Sequence, residues 1–61
     1  MTRKEIIKKL EIIGCDETTY ENIKYYLKAN NWKLKDVTDI QKSETEGYCK
    51  LFVEGIEIGV I

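Results

Sequence analysis

The sequence predicts an α+β fold: two N-terminal helices packed on a small antiparallel β-meander or a C-terminal β-hairpin, in one domain spanning residues 1–61. Three observations carry that expectation. Apolar residues recur at helical spacing in two stretches, about 3–13 and 18–29. The last fifteen residues, GYCKLFVEGIEIGVI, alternate apolar and other side chains on both sides of Glu54-Gly55. A chain of 61 residues makes one domain that buries only about 60% of its unfolded surface. An apolar ribbon at its end therefore needs a cover, and the two helices supply it.

The first helix follows from TRKEIIKKLEII. Ile6, Ile7, Leu10 and Ile13 share one arc, with Lys4, Glu5, Lys8, Lys9 and Glu11 on the other side. Thr2 followed by Glu5 has the form of a capping box, and Gly14 suits the left-handed position past the end. The second helix follows from CDETTYENIKYYLKANN. Tyr20, Ile23, Tyr26 and Leu27 share a face, while Lys24 and Lys28 share another beside Tyr25. Thr18 and Glu21 predict a second capping box, and Asn30 or Asn31 ends the helix because asparagine tolerates positive φ.

WKLKDVTDIQK admits two readings. Leu34, Val37 and Ile40 repeat every three residues, as in a short helix, whereas Trp32 and Leu34 alternate with Lys33 and Lys35, as in a strand. Two isolated strands are marginal in water, which favours a third strand and a meander of 33–41, 48–53 and 56–61. Within the hairpin, a two-residue turn at Glu54-Gly55 opposes Val53 to Ile56, Leu51 to Ile58 and Cys49 to Val60. Those six side chains then form the inner face, and Tyr48, Lys50, Phe52, Glu57, Gly59 and Ile61 form the outer one. Such a turn requires positive φ at Glu54.

Composition excludes more than it assigns. Ten basic and eleven acidic residues give a net charge of −1, which offers no general attraction to nucleic acid or anionic membrane. Residues 1–30 hold six basic and five acidic side chains, net +1; residues 31–61 hold four and six, net −2. No apolar run approaches a membrane span, and MTRKEIIKKL lacks the apolar core of a signal peptide, so a cytoplasmic location without membrane contact is expected. There Cys15 and Cys49 stay reduced and act as small buried hydrophobes. Histidine is absent, which removes the commonest general base and metal ligand. Ser43, the one serine, has no base to activate it, and the glycines have no phosphate-loop spacing. The chain is read as no enzyme, with no cofactor and no metal.

Leu27, Asn30, Asn31, Trp32, Leu34 and Val37, with Gly14 ahead of them, resemble the pattern of ubiquitin-associated-like three-helix domains across residues 14–40. The resemblance implies a third helix, and protein binding through that helix and the Gly14–Cys15 loop. Ubiquitin binding itself is not carried over. Cys15 stands where that family has an aromatic residue, and the hairpin has no counterpart there.

The functional expectation is a small non-enzymatic protein-interaction module, an inhibitor or adaptor of the kind compact mobile-element genomes encode. Its docking residues would be Tyr48, Lys50, Phe52 and Ile61 on the outer sheet face, with Tyr25 on the second helix. The alternative is a nucleic-acid-binding regulator with Arg3, Lys4, Lys8, Lys24 and Lys28 on phosphates. A homo-oligomer built through an edge strand or the outer sheet face is a third expectation.

Overall fold

The computed structural model describes residues 1–61. Helix α1 (Arg3–Ile13) and helix α2 (Glu17–Ala29) precede a 3₁₀ turn (Leu34–Asp36) and three strands, β1 (Val37–Lys42), β2 (Cys49–Val53) and β3 (Ile56–Val60). The strands form one antiparallel sheet in the order β1-β2-β3, the predicted meander. Ile6 and Leu10 of α1, Tyr20, Ile23 and Leu27 of α2, Val37 and Ile40 of β1, and Cys49 and Leu51 of β2 make one buried cluster.

Local chemistry sets the helix ends. The Glu5 N–H donates to Thr2 Oγ1 (3.2 Å) and the Thr2 N–H to Glu5 Oε1 (2.8 Å), completing the predicted box. These bonds, the backbone one foremost, hold the Glu5 carboxyl below its usual pKa. Gly14, at φ 86°, ends α1, with the Cys15 N–H on the Leu10 carbonyl (2.8 Å). At the start of α2 the expectation needs correction. Asp16, not Thr18, caps the helix, its Oδ1 accepting from the Thr19 N–H (3.3 Å), so the helix starts earlier and Thr19 is buried. Asn31 takes φ 62°, and the Trp32 N–H closes on the Leu27 carbonyl at 2.8 Å.

The third segment is not a helix, which overturns the three-helix resemblance. Only Leu34–Asp36 turns, stapled by the Lys33 N–H donating to Asp36 Oδ2 (2.8 Å), before the chain enters β1. The three-residue repeat has another cause. Val37 pairs with Val53 and Asp39 with Phe52, so Thr38 is an extra residue in β1. This bulge puts Val37 (2% exposed) and Ile40 (0%), three apart, on the same buried face, where an unbroken strand would separate them. Thr38 also receives the Gly55 N–H on its Oγ1 (3.0 Å), tying β1 to the next turn.

The β2–β3 turn has the predicted two residues. Glu54 (φ 54°) and Gly55 (φ 75°) are both left-handed, as a type I′ turn demands, and Val53 pairs with Ile56. Beyond Phe52–Glu57 the predicted register fails. Leu51 pairs with Gly59 and Lys50 with Val60, leaving Ile58 as a second bulge. Gly59 and Ile61 therefore turn toward the helices and Val60 turns out. The six-residue inner face is split: Cys49, Leu51 and Val53 are buried and Ile58 packs on the core, but Ile56 (65% exposed) and Val60 (52%) do not.

The reason for the second bulge is Tyr26. Its hydroxyl donates to the Ile58 carbonyl at 2.6 Å and its ring occupies the space beside Gly59, where a Cβ would lie 2.7 Å from the hydroxyl. Gly59→Ala is expected to lower stability by about 1–3 kcal/mol through overpacking, and Tyr26→Phe by about 1 kcal/mol through the unpaired carbonyl. Glu54→Asn, which relieves a left-handed glutamate, should raise stability by about 0.5–1 kcal/mol. Thermal denaturation of the three variants checks all three signs.

Candidate functional site

The helices cover one face of the sheet, and the opposite face is built by β2. Phe52 is half-buried at its middle, paired with Asp39 on one side and Glu57 on the other. Lys50 is likewise half-buried between Gln41 and Val60. Tyr48, just ahead of β2, is 51% exposed. Three of the four predicted sheet-face residues, Tyr48, Lys50 and Phe52, therefore occupy one strand line. Ile61 does not join them. It exchanges both backbone hydrogen bonds with Cys49 (2.8 Å each) and packs on the core, because the Ile58 bulge reverses its direction. Val60 takes its place on the outer face. No alternation rule could have found Val60, since the bulge depends on Tyr26. Tyr25 stands apart on α2, 79% exposed, while its neighbour Tyr26 turns to β3.

The two sheet edges differ. Along β1 the chain caps its own backbone. The Met1 ammonium donates to the Leu34 (3.0 Å) and Val37 (2.7 Å) carbonyls. The Ile40 N–H donates to Asp39 Oδ1, which also meets Lys9 at 3.4 Å. The Gln41 amide, foremost, then the Ile40 N–H and Lys9 hold the Asp39 carboxyl below its usual pKa. On β3 the bulged Ile58 carbonyl is taken by Tyr26. Because Cys49 and Ile61 form a hydrogen-bonded pair, the neighbouring Val60 aims its backbone N–H and carbonyl away from β2. An edge of this kind, interrupted by a bulge, resists continuous pairing with a further strand.

The predicted basic face divides. Arg3 and Lys24 converge on the Tyr20 ring, 5.6 Å and 5.2 Å from its centroid. Lys24 also meets Glu21 at 3.3 Å. Lys4 and Lys8 lie on an exposed stripe of α1 that continues to Ile12, 72% exposed. Lys28 joins Lys24 at a groove of about 500 Å³ beyond the end of α2, whose other walls include Asn31, Trp32 and Lys33. Asn31, Trp32 and Lys33 were absent from the expected site. The available signal was a tryptophan directly after a helix-ending Asn-Asn, with lysines on both sides.

A smaller cavity of about 190 Å³ lies by the Gly14–Cys15 turn and is lined by Ile7, Leu10, Glu11, Cys15, Asp16 and Glu17. Cys15 and Cys49 are both free thiols. Burial, reinforced by nearby Cys15, pushes the Cys49 thiol up to about 11. No known protein family, curated protein or solved structure matches the chain.

The raised Cys49 pKa makes an alkaline prediction. The unfolded thiol ionises near the ordinary value of 9.0 and the folded one only at about 11, so this contribution is fully present below pH 9 and is lost between 9 and 11. Denaturant titrations from pH 8 to pH 11 on the protein and on Cys49→Ala should diverge in that window, the wild type losing stability more steeply. Parallel curves would show that Cys49 ionises equally in both states.

Proposed function

We propose that the protein is a small non-enzymatic protein-interaction module, of inhibitor or adaptor type, that docks a partner protein on the outer face of its sheet. The observation that supports this reading is the one-sided cover: both helices pack on the inner face and leave Phe52 half-buried, with Tyr48 (51%) and Val60 (52%) more than half exposed beside it. An aromatic anchor ringed by polar groups is the arrangement in which a few residues carry most of a binding energy. Lys50 and Glu57 supply charges of both signs around Phe52, suited to a partner of mixed charge rather than to a polyanion. The reading places the protein in the cytoplasm, where both thiols stay reduced.

The test replaces Phe52 with a photo-crosslinking residue in the producing cell, and compares Phe52→Glu, Val60→Glu and Tyr25→Glu in affinity capture and light scattering. Crosslinks from position 52 to a different protein are expected. Phe52→Glu and Val60→Glu should each weaken that complex by about 2 kcal/mol, roughly thirtyfold, and Tyr25→Glu should leave it intact. If Phe52→Glu retains its assembly state and every captured partner, the sheet-face reading fails. Crosslinking only to identical chains would make the face a self-association surface.

A further inference from the structure

At the end of α2 the fold brings together an aromatic ring, three ammonium groups and an uncommitted amide. Lys24 and Lys28 are four residues apart, about 6 Å along the helix axis. Lys33 comes from the segment after the helix, and Trp32 lies between, partly packed on the core. No carboxylate is among the lining residues, although the Asp36 carboxylate accepts the Lys33 backbone N–H at 2.8 Å just outside the groove. Lys24 is shared with Glu21, whereas Lys28 and Lys33 form no ion pair. The two asparagines play different parts. The Asn30 amide donates to the Tyr26 carbonyl at 2.9 Å. Asn31 is held at φ 62° by the helix-ending hydrogen bonds, with its side chain exposed at the groove.

We infer that this groove binds a nucleobase together with its phosphates, the base stacking on Trp32 and the phosphates on Lys28 and Lys33. Lysines meet phosphate as point charges, and two features select a nucleotide over an acidic peptide. A tryptophan face beside a positive track is how single strands are held irrespective of sequence. The Asn31 amide offers a donor and an acceptor side by side, the pattern that pairs with an adenine edge. The ligand would be a short single strand or a free nucleotide. The site lies apart from the sheet face, and its occupancy does not depend on that face binding a protein.

Trp32 is the one tryptophan of the chain, so its emission reports the groove directly. A short mixed-sequence single-stranded oligonucleotide, ATP and a glutamate-rich peptide of equal charge are titrated separately at low salt. The oligonucleotide should quench Trp32 emission, with an affinity that falls with salt by a log–log slope of about −0.7 per phosphate engaged. Lys28→Gln/Lys33→Gln, with its folding verified by circular dichroism, should bind about tenfold more weakly and flatten that slope by about 1.4. Lys42→Gln, which removes an exposed lysine at the end of β1, should bind as the parent does. Quenching by ATP as strong as by the strand would identify a free nucleotide as the ligand. The inference is overturned if neither nucleic probe changes the emission, if the peptide binds equally well, or if the double variant binds unchanged.

Discussion

The inner face of β2 is the surface on which every other element depends. Cys49 and Leu51 are fully buried in a cluster that takes Ile6 and Leu10 from one helix, Tyr20, Ile23 and Leu27 from the other, and Val37 and Ile40 from β1. In a chain of 61 residues there is apolar surface for one such core and no second layer. The helices stabilise the sheet by covering that face, and their own apolar stripes leave water in the same step. The outer face is left uncovered by the same economy of material.

Two bulges adapt the outer strands to this core. Thr38 lets Val37 and Ile40 point the same way, and Ile58 lets both itself and Ile61 reach the core. Each bulge is tied by a side-chain hydrogen bond to another element: Thr38 Oγ1 to the Gly55 N–H, and the Ile58 carbonyl to Tyr26. A bulge leaves one residue outside the ladder, and these bonds satisfy groups that the ladder does not. Both irregularities flank Phe52, which is why its cross-strand neighbours are Asp39 and Glu57, with Val60 on the same face one pair further along.

Charge is distributed less evenly than a net value of −1 suggests. Lys9 is spent on Asp39 at the β1 edge, and Glu21 is matched to Lys24. Lys28 and Lys33 remain unpaired around Trp32, where chain reversal after α2 brings residues from both sides of Asn31 into one groove. Three lysines line that groove although the chain as a whole is net negative, and short-range binding responds to the nearby charges more than to the net value. The sheet face, by contrast, mixes Lys50 with Glu57. The two surfaces therefore suit ligands of different chemistry.

Much of this architecture is written in local sequence. Both helices, the Thr2–Glu5 box, the Gly14 stop and the Glu54-Gly55 turn follow from interactions within a few residues, which chain context hardly alters. Tyr48, Lys50 and Phe52 could be assigned to one face because β2 carries no bulge and keeps its alternation. The destination of Val37, Ile40, Val60 and Ile61 could not, because a bulge shifts side-chain direction by one residue and its position depends on distant partners. Tyr26 sits 32 residues from Ile58, and Thr38 lies 17 from Gly55. The period of three in Leu34-Val37-Ile40 was real but arose from a 3₁₀ turn followed by a bulged strand, not from a third helix. Local sequence determined the two helices and the hairpin turn, and left the segment after α2 open between helix and strand. Only the packing of α2 on β3, and of β1 on the hairpin turn, decided which side chains face water.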